Sequence, residues 1–257
     1  MAGGAKASRR RGRKPKPTSA QVFERFLALV PEERAIVVQS LSPAQKREFN
    51  ERWWDWALTA QRAPAGDWSV WLIRAGRGFG KTRAGAEWVS EFARAHPDAR
   101  IALVGATPDD TRRVMIEGVS GLLAVAQTHE RESMRWKKMD GEVAFASGAR
   151  GFVYSAGAPE ALRGPEHDAA WCDELAKWPP GTADAAWNNL MLGLRRGEKA
   201  RVLVTTTPRQ SKLMRRVMQL KETAAADVQS MFDLGQEMVD TVFSFGELGF
   251  QEFETQK

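Results

Sequence analysis

Past residue 67 the chain alternates short apolar runs with longer stretches in which apolar residues recur at helical spacing. Strands are expected at 69–73 (SVWLI), 100–105 (RIALVG), 168–172 and 201–205, with shorter ones near 134–138, 142–146 and 151–155. Asp140-Gly141 supplies a hairpin turn between two of the short ones. Helices are expected from 81 to about 95, from 107 to about 126, and over 182–195. The second begins on Thr107-Pro108-Asp109-Asp110, an N-cap with proline at the first helical position. Strands alternating with helices predict an α/β fold, a mainly parallel sheet flanked by helices with right-handed crossovers.

Upstream the pattern is helical from 20 to 61. Pro31 precedes Glu32 and Glu33, acids that favour a first helical turn, and Ser42-Pro43 repeats the device. APAGD at 63–67 breaks the chain. The first 19 residues have almost no apolar content and read as a disordered arm. Four parts follow: a basic arm (1–19), a helical segment (20–66), a core (67–215) and an acidic, phenylalanine-containing tail (216–257). The tail carries Phe232, Phe243, Phe245, Phe250 and Phe253 and reads as a helical hairpin, a docking segment or the trace of an interrupted gene.

At 257 residues the chain is long enough to bury a core without staples. Cys172 is its single cysteine and its three histidines are scattered, which excludes a disulfide scaffold and a Cys/His zinc site. No apolar run reaches the roughly 20 residues of a membrane helix, and no secretion signal is present, so a soluble protein in a reducing compartment is expected. The net charge of +6 divides into +7 over 1–20, +5 over 21–220 and −6 over 221–257. A basic arm and body suit a polyanion such as nucleic acid; the arm reads equally as a solvated tail.

The chemistry sits at strand ends. Arg74-Ala75-Gly76-Arg77-Gly78-Phe79-Gly80-Lys81-Thr82 follows a strand and opens a helix, the context of a nucleotide phosphate loop. Gly76, Gly78 and Gly80 let backbone N–H groups turn inward, and the helix N-terminus adds positive charge. Lys81 would reach the β- and γ-phosphates of ATP, and the Thr82 hydroxyl would ligate Mg²⁺. Ala75 stands where the usual pattern has its first glycine. Arg77 either contacts the γ-phosphate or pairs with a carboxylate to hold the loop.

Asp173 and Glu174 end the apolar run 169–172, 92 residues after Lys81. Asp173 would hold the Mg²⁺ shell, and Glu174, pointing to the other side of the strand, would orient or deprotonate a water. A base placed for water selects hydrolysis over transfer to a small molecule. Thr205, Thr206 and Thr207 end the next strand, either sensing the γ-phosphate or forming a plain β-branched strand end. Arg163 is open to two readings, an arginine finger acting on a neighbouring subunit or a salt-bridged surface residue.

These segments resemble the large subunit of tailed-phage and prophage DNA-packaging terminases. The likeness runs over roughly 50–210 and rests on Gln61 with GDWSVWLI (66–73), AGRGFGKTRAGAEW (75–88), LRGPEHDAAWCDELAKW (162–178) and VLVTTTP (202–208). It implies a P-loop NTPase of the additional-strand catalytic-glutamate type that assembles as a homo-oligomeric ring and drives double-stranded DNA into a procapsid. Portal protein and a small terminase subunit are the implied partners, the host cytoplasm the implied location. By residue match Gln61 would recognise adenine, Lys81, Thr82 and Arg77 would serve the phosphates, and Asp173 and Glu174 would be the metal and water-activating acids. Thr205–Thr207 would couple, and Arg163 would be the trans-acting finger. Such subunits continue into a nuclease; here residues after about 215 lack that resemblance, and no nuclease activity is expected. The alternatives are a helicase- or recombinase-like ATPase and a nucleotide-binding fragment without turnover.

Overall fold

Proline and serine start the first helices. In the computed structural model α1 (Pro31–Ser40) opens on Pro31, and α2 (Pro43–Glu51) is capped reciprocally: the Ser42 hydroxyl accepts from Gln45 N–H while the Gln45 side chain accepts from Ser42 N–H. Residues 25, 26, 28–197, 199 and 201–220 are described, with the backbone of 223–228. The expected arm and residues 229–257 of the expected tail lie outside the described residues.

Eight strands form one sheet: β1 (Val70–Ala75), β2 (Arg100–Gly105), β3 (Arg135–Lys137), β4 (Glu142–Ala144), β5 (Arg150–Ser155), β6 (Ala169–Asp173), β7 (Arg201–Thr206) and β8 (Thr223–Val228). Their order is β3-β4-β5-β2-β6-β7-β1-β8. The run from β5 to β8 is parallel; β3 and β4 add antiparallel at one edge, turning at Asp140-Gly141. The helices α3 (Lys81–Ala95), α4 (Ala183–Gly193) and α5 (Lys212–Met218) cover its faces. This is the α/β P-loop architecture.

Because side chains alternate along a strand, each central strand feeds two cores. Trp71, Ile73, Leu103, Trp171 and Leu203 pack with α3 on one face; Leu72, Val104, Cys172 and Val204 pack with α4 and α5 on the other. Parallel pairing sends the carboxyl ends of β1, β6 and β7, three adjacent strands, to a single edge. Ligands of open α/β sheets sit at that edge.

The chain departs from its periodicity in two places. The helix expected over 107–126 is broken: one turn (Pro108–Asp110) passes into a π-helix (Thr111–Ile116), and a separate turn follows at Leu122–Val125. Gly118 and Gly121 fold the chain back onto that helix, where a Cβ would lie 2.6 Å from the Val114 carbonyl oxygen and 2.7 Å from that of Ile116. Only glycine fits so close to a carbonyl. The sheet also runs past residue 215, since β8 pairs in parallel with β1. Its sequence, TAAADV, has little strand propensity of its own.

Candidate active site

The phosphate loop leaves β1 at Ala75 and enters α3 at Lys81. Gly78 and Gly80 both take φ +80°, a left-handed conformation that glycine adopts without strain. Ala75, where a first glycine was expected, is the buried last residue of β1 and needs no such freedom. The Lys81 ammonium turns back on its own loop, donating to the carbonyls of Ala75 at 3.1 Å and Gly76 at 2.8 Å. Burial pulls its pKa below the ordinary lysine value, against the opposing pull of Glu174 and Asp173. Arg77 is exposed, and among the described residues it has no carboxylate partner, so the loop-holding salt bridge is not formed.

Gln61 lies beneath this loop. Its side-chain amide donates to the Phe79 carbonyl at 2.7 Å, and its oxygen accepts from Leu58 N–H at 2.9 Å. At Gly80 a Cβ would lie 2.8 Å from Gln61 Nε2, so the glutamine and the glycine fit each other. The residue expected to meet adenine is thus buried and holds the loop's backbone.

The acidic corner is built by strand register. Asp173 on β6 lies opposite Thr205 on β7, and the Thr205 hydroxyl donates to Asp173 Oδ1 at 2.7 Å. Trp171, two residues earlier on the same face, donates its indole N–H to that hydroxyl at 2.9 Å. Burial raises the Asp173 pKa to about 6; the Thr205 bond opposes the rise and neighbouring Glu174 adds to it. Glu174 lies past the strand end, at φ 47° and ψ 47°, the one non-glycine residue at positive φ among those described. That conformation costs about 1–2 kcal/mol and points to a site where placement outranks stability. Its Oε2 accepts from the Thr207 hydroxyl at 2.9 Å and from Thr207 N–H at 3.3 Å. Thr206 accepts from Ala176 N–H at 3.2 Å, holding the turn behind Glu174. All three threonine hydroxyls therefore serve the acids or their loop, which a plain strand end would not do.

The donor set fits Mg²⁺. Asp173 offers a carboxylate whose Oδ2 has no hydrogen bond among the described residues, and Thr82 offers a hydroxyl likewise unengaged. No group of three or more His, Cys, Asp or Glu that could hold a metal occurs among the described residues. Mg²⁺ is commonly held this way, by one or two protein ligands together with substrate phosphates. Arg163 stands apart: its side chain is 77% exposed and pairs at 3.7 Å with Glu160, itself 78% exposed. Exposed pairs of that kind contribute little to stability.

Two features escaped sequence reasoning. One is the link from Trp171 to Asp173. The other is Arg83, which is buried, bonds Glu87 at 2.7 Å and both the side-chain and backbone oxygens of Asn50 at 2.8 Å, and lies over the Trp53 ring. It fastens α2 to the helix that follows the phosphate loop. The i,i+4 spacing of Arg83 and Glu87 was readable, but such a pair normally lies on a surface.

The family model described as "Terminase large subunit, T4likevirus-type, N-terminal" matches residues 72–237, well over half of the chain. The chain belongs to this family. The terminase match continues past residue 215, where the resemblance read from motifs stopped. Among solved structures, the large terminase of a thermophilic bacteriophage in complex with ADP is 12% identical with a TM-score of 0.52, covering 81% of this chain and 48% of that one. The ATPase domain of the Thermus phage P74-26 large terminase is 14% identical with a TM-score of 0.50, covering 75% of this chain and 85% of that one. At these identities the likeness concerns the terminase fold. The chain spans about half the length of the full large terminase it matches. No curated protein matches it. Among the described residues no helix is long and apolar enough to cross a membrane.

Proposed function

We propose that this chain is the ATP-hydrolysing motor part of a large terminase, working in a ring of identical subunits that moves double-stranded DNA into a procapsid in the host cytoplasm. Portal protein and a small terminase subunit are its partners in that reading. The observation that carries it is the corner in which Thr205 grips Asp173 and Thr207 grips Glu174, on the same sheet edge as the Lys81 loop. Family membership and the ADP complex of a related terminase support the choice of nucleotide.

In this mechanism ATP phosphates displace the Ala75 and Gly76 carbonyls from Lys81, whose ammonium then lies along the β- and γ-oxygens. Thr82 and Asp173 would hold Mg²⁺, which would supply positive charge against the phosphate oxygens. Glu174 positions the attacking water and takes its proton through a carboxylate oxygen. Because Thr207 holds that same carboxylate, any shift of Glu174 on loss of the γ-phosphate would pass to the chain at the end of β7. Arg77 contacts the γ-phosphate, and Gln61 keeps one amide N–H for the adenine edge. Arg163, exposed and weakly paired, reaches a neighbour's γ-phosphate.

Phosphate release from ATP, measured with and without double-stranded DNA and with Mg²⁺ or EDTA, tests the reading. Mg²⁺-dependent hydrolysis lost in Lys81→Ala is the expected result. Nucleotide binding without hydrolysis under every condition, ring-forming partners included, would favour a fragment without turnover.

A further inference from the structure

We infer that Trp171 is a positioning residue for the metal-holding carboxylate: through the Thr205 hydroxyl, its indole N–H fixes the direction in which Asp173 presents its free oxygen. The inference rests on Asp173 holding Mg²⁺, as proposed above. Trp171, Thr205 and Asp173 are all buried, and the bonds between them run at 2.9 Å and 2.7 Å.

Direction follows from the chemistry of the donors. An indole N–H only donates, so Thr205 Oγ1 must accept from it. The hydroxyl has one proton left to give, and Asp173 Oδ1 is its short partner; the Cys172 carbonyl, at 3.4 Å, is the long one. With Oδ1 occupied, Oδ2 remains for an ion. The indole in turn is seated against α3 at Gly85, where a Cβ would lie 2.2 Å from Trp171 Cε2. Gly85 is three residues after Thr82, about one helical turn. One rigid helix therefore carries a candidate metal ligand at its start and, through indole and hydroxyl, orients the other on β6. Mg²⁺ tolerates little deviation from octahedral geometry at about 2.0–2.1 Å, so that linkage is where small displacements register.

The test uses the full chain as Trp171→Phe, which keeps an aromatic side chain but removes the donor with the part of the indole that carries it, Thr205→Val, which keeps the shape and removes the hydroxyl, and Thr205→Ser, which restores it. Mn²⁺, an EPR-visible substitute for Mg²⁺, is titrated into each protein with ADP bound, and the affinity for a fluorescent ADP is measured separately in EDTA. Loss of a supporting partner commonly weakens a metal site 10–100-fold. Trp171→Phe and Thr205→Val are expected to weaken Mn²⁺ binding about tenfold or more. Their metal-free ADP affinity stays within about twofold of the parent, Thr205→Ser recovers most of the loss, and a double variant combining Trp171→Phe with Thr205→Val binds Mn²⁺ no worse than Thr205→Val alone. Unchanged Mn²⁺ affinity in Trp171→Phe overturns the inference, as do losses that multiply in the double variant or an equal fall in metal-free ADP affinity. Should Trp171→Phe not fold, Thr205→Val against Thr205→Ser decides: equal Mn²⁺ affinity in the two refutes the relay. A parent protein that binds no ADP at all removes the functional reading itself, before any variant is compared.

Discussion

Lys81 leans on two carbonyls of its own loop, whereas Asp173 is gripped by a threonine hydroxyl of the neighbouring strand and Glu174 by one just past that strand's end. The two halves of the site are prepared differently. On the loop side the partners are neutral backbone oxygens, exchangeable for charged phosphate oxygens without unmaking the fold. On the acid side the partners are side chains fixed by register, held before any ligand arrives, which is how charge-stabilising sites avoid reorganising during reaction. Binding should therefore rearrange the loop, and hydrolysis should depend on a corner already in place.

The widest break in this comparison would come from Arg163, which belongs to neither half within its own subunit. A trans-acting finger contributes around 10³–10⁵ in rate, so Arg163→Ala is expected to lose turnover on that scale. Mixing it with Glu174→Gln should restore activity, because some interfaces then pair an intact pocket with an intact finger. Mixed assemblies that form and stay inactive would place Arg163 in cis or in the fold alone.

The two halves themselves separate in a pair of single variants. Glu174→Gln should lower turnover by roughly 10²–10⁴-fold while Mg·ATP stays bound, since the amide keeps its size but takes no proton. Lys81→Ala should lose turnover and also nucleotide affinity. Equal nucleotide binding in both, read by equilibrium titration, would erase the distinction between a side that binds and a side that reacts.

Below these in size is the fastening of the loop helix. Arg83→Met leaves Glu87 buried without its cation, and breaking such a pair costs about 3–5 kcal/mol. Denaturant unfolding should show that loss; a shift below about 1 kcal/mol would mean that α2 does not depend on the clamp.

The smallest effect concerns pH. His167 is buried beside Tyr154, and its pKa is lowered to about 4 by burial, with Arg100 acting in the same direction. The unfolded chain takes up that proton near pH 6.5 and the folded one only near 4, so stability is full above 6.5 and falls as the pH drops between them. The loss amounts to at most roughly 3 kcal/mol. Melts of His167→Gln should flatten this acid limb; an unchanged limb would assign it to other groups.

Much of this was legible in the chain. Strands 70–75, 100–105, 169–173 and 201–206 declare themselves by apolar runs, and the loop's glycines and the Asp-Glu pair declare their chemistry. What stayed hidden depends on neighbours distant in sequence. TAAADV becomes a strand because β1 offers it an edge. Arg83 becomes a buried clamp because a helical segment closes over it. Thr205 becomes the holder of Asp173 because β6 runs beside β7 in one register, and Thr207 reaches Glu174 from just past the end of β7. The fragmented helix after β2 had local causes in Gly118 and Gly121, but helical periodicity alone does not reveal a chain that doubles back.

At the far edge of the sheet stands β3, three residues long, with Arg135 and Lys137 exposed. An open strand edge invites another chain to add itself, and short length with flanking cations discourages this. For a protein proposed to work shoulder to shoulder with its own copies, that bluntness matters. A copy that met the protein at β3 would be held by side chains and not by a backbone ladder, and side-chain contacts slide and re-form where a shared sheet would lock. If the proposed ring forms and its subunits shift as nucleotide turns over, an edge that does not fuse leaves them free to do so.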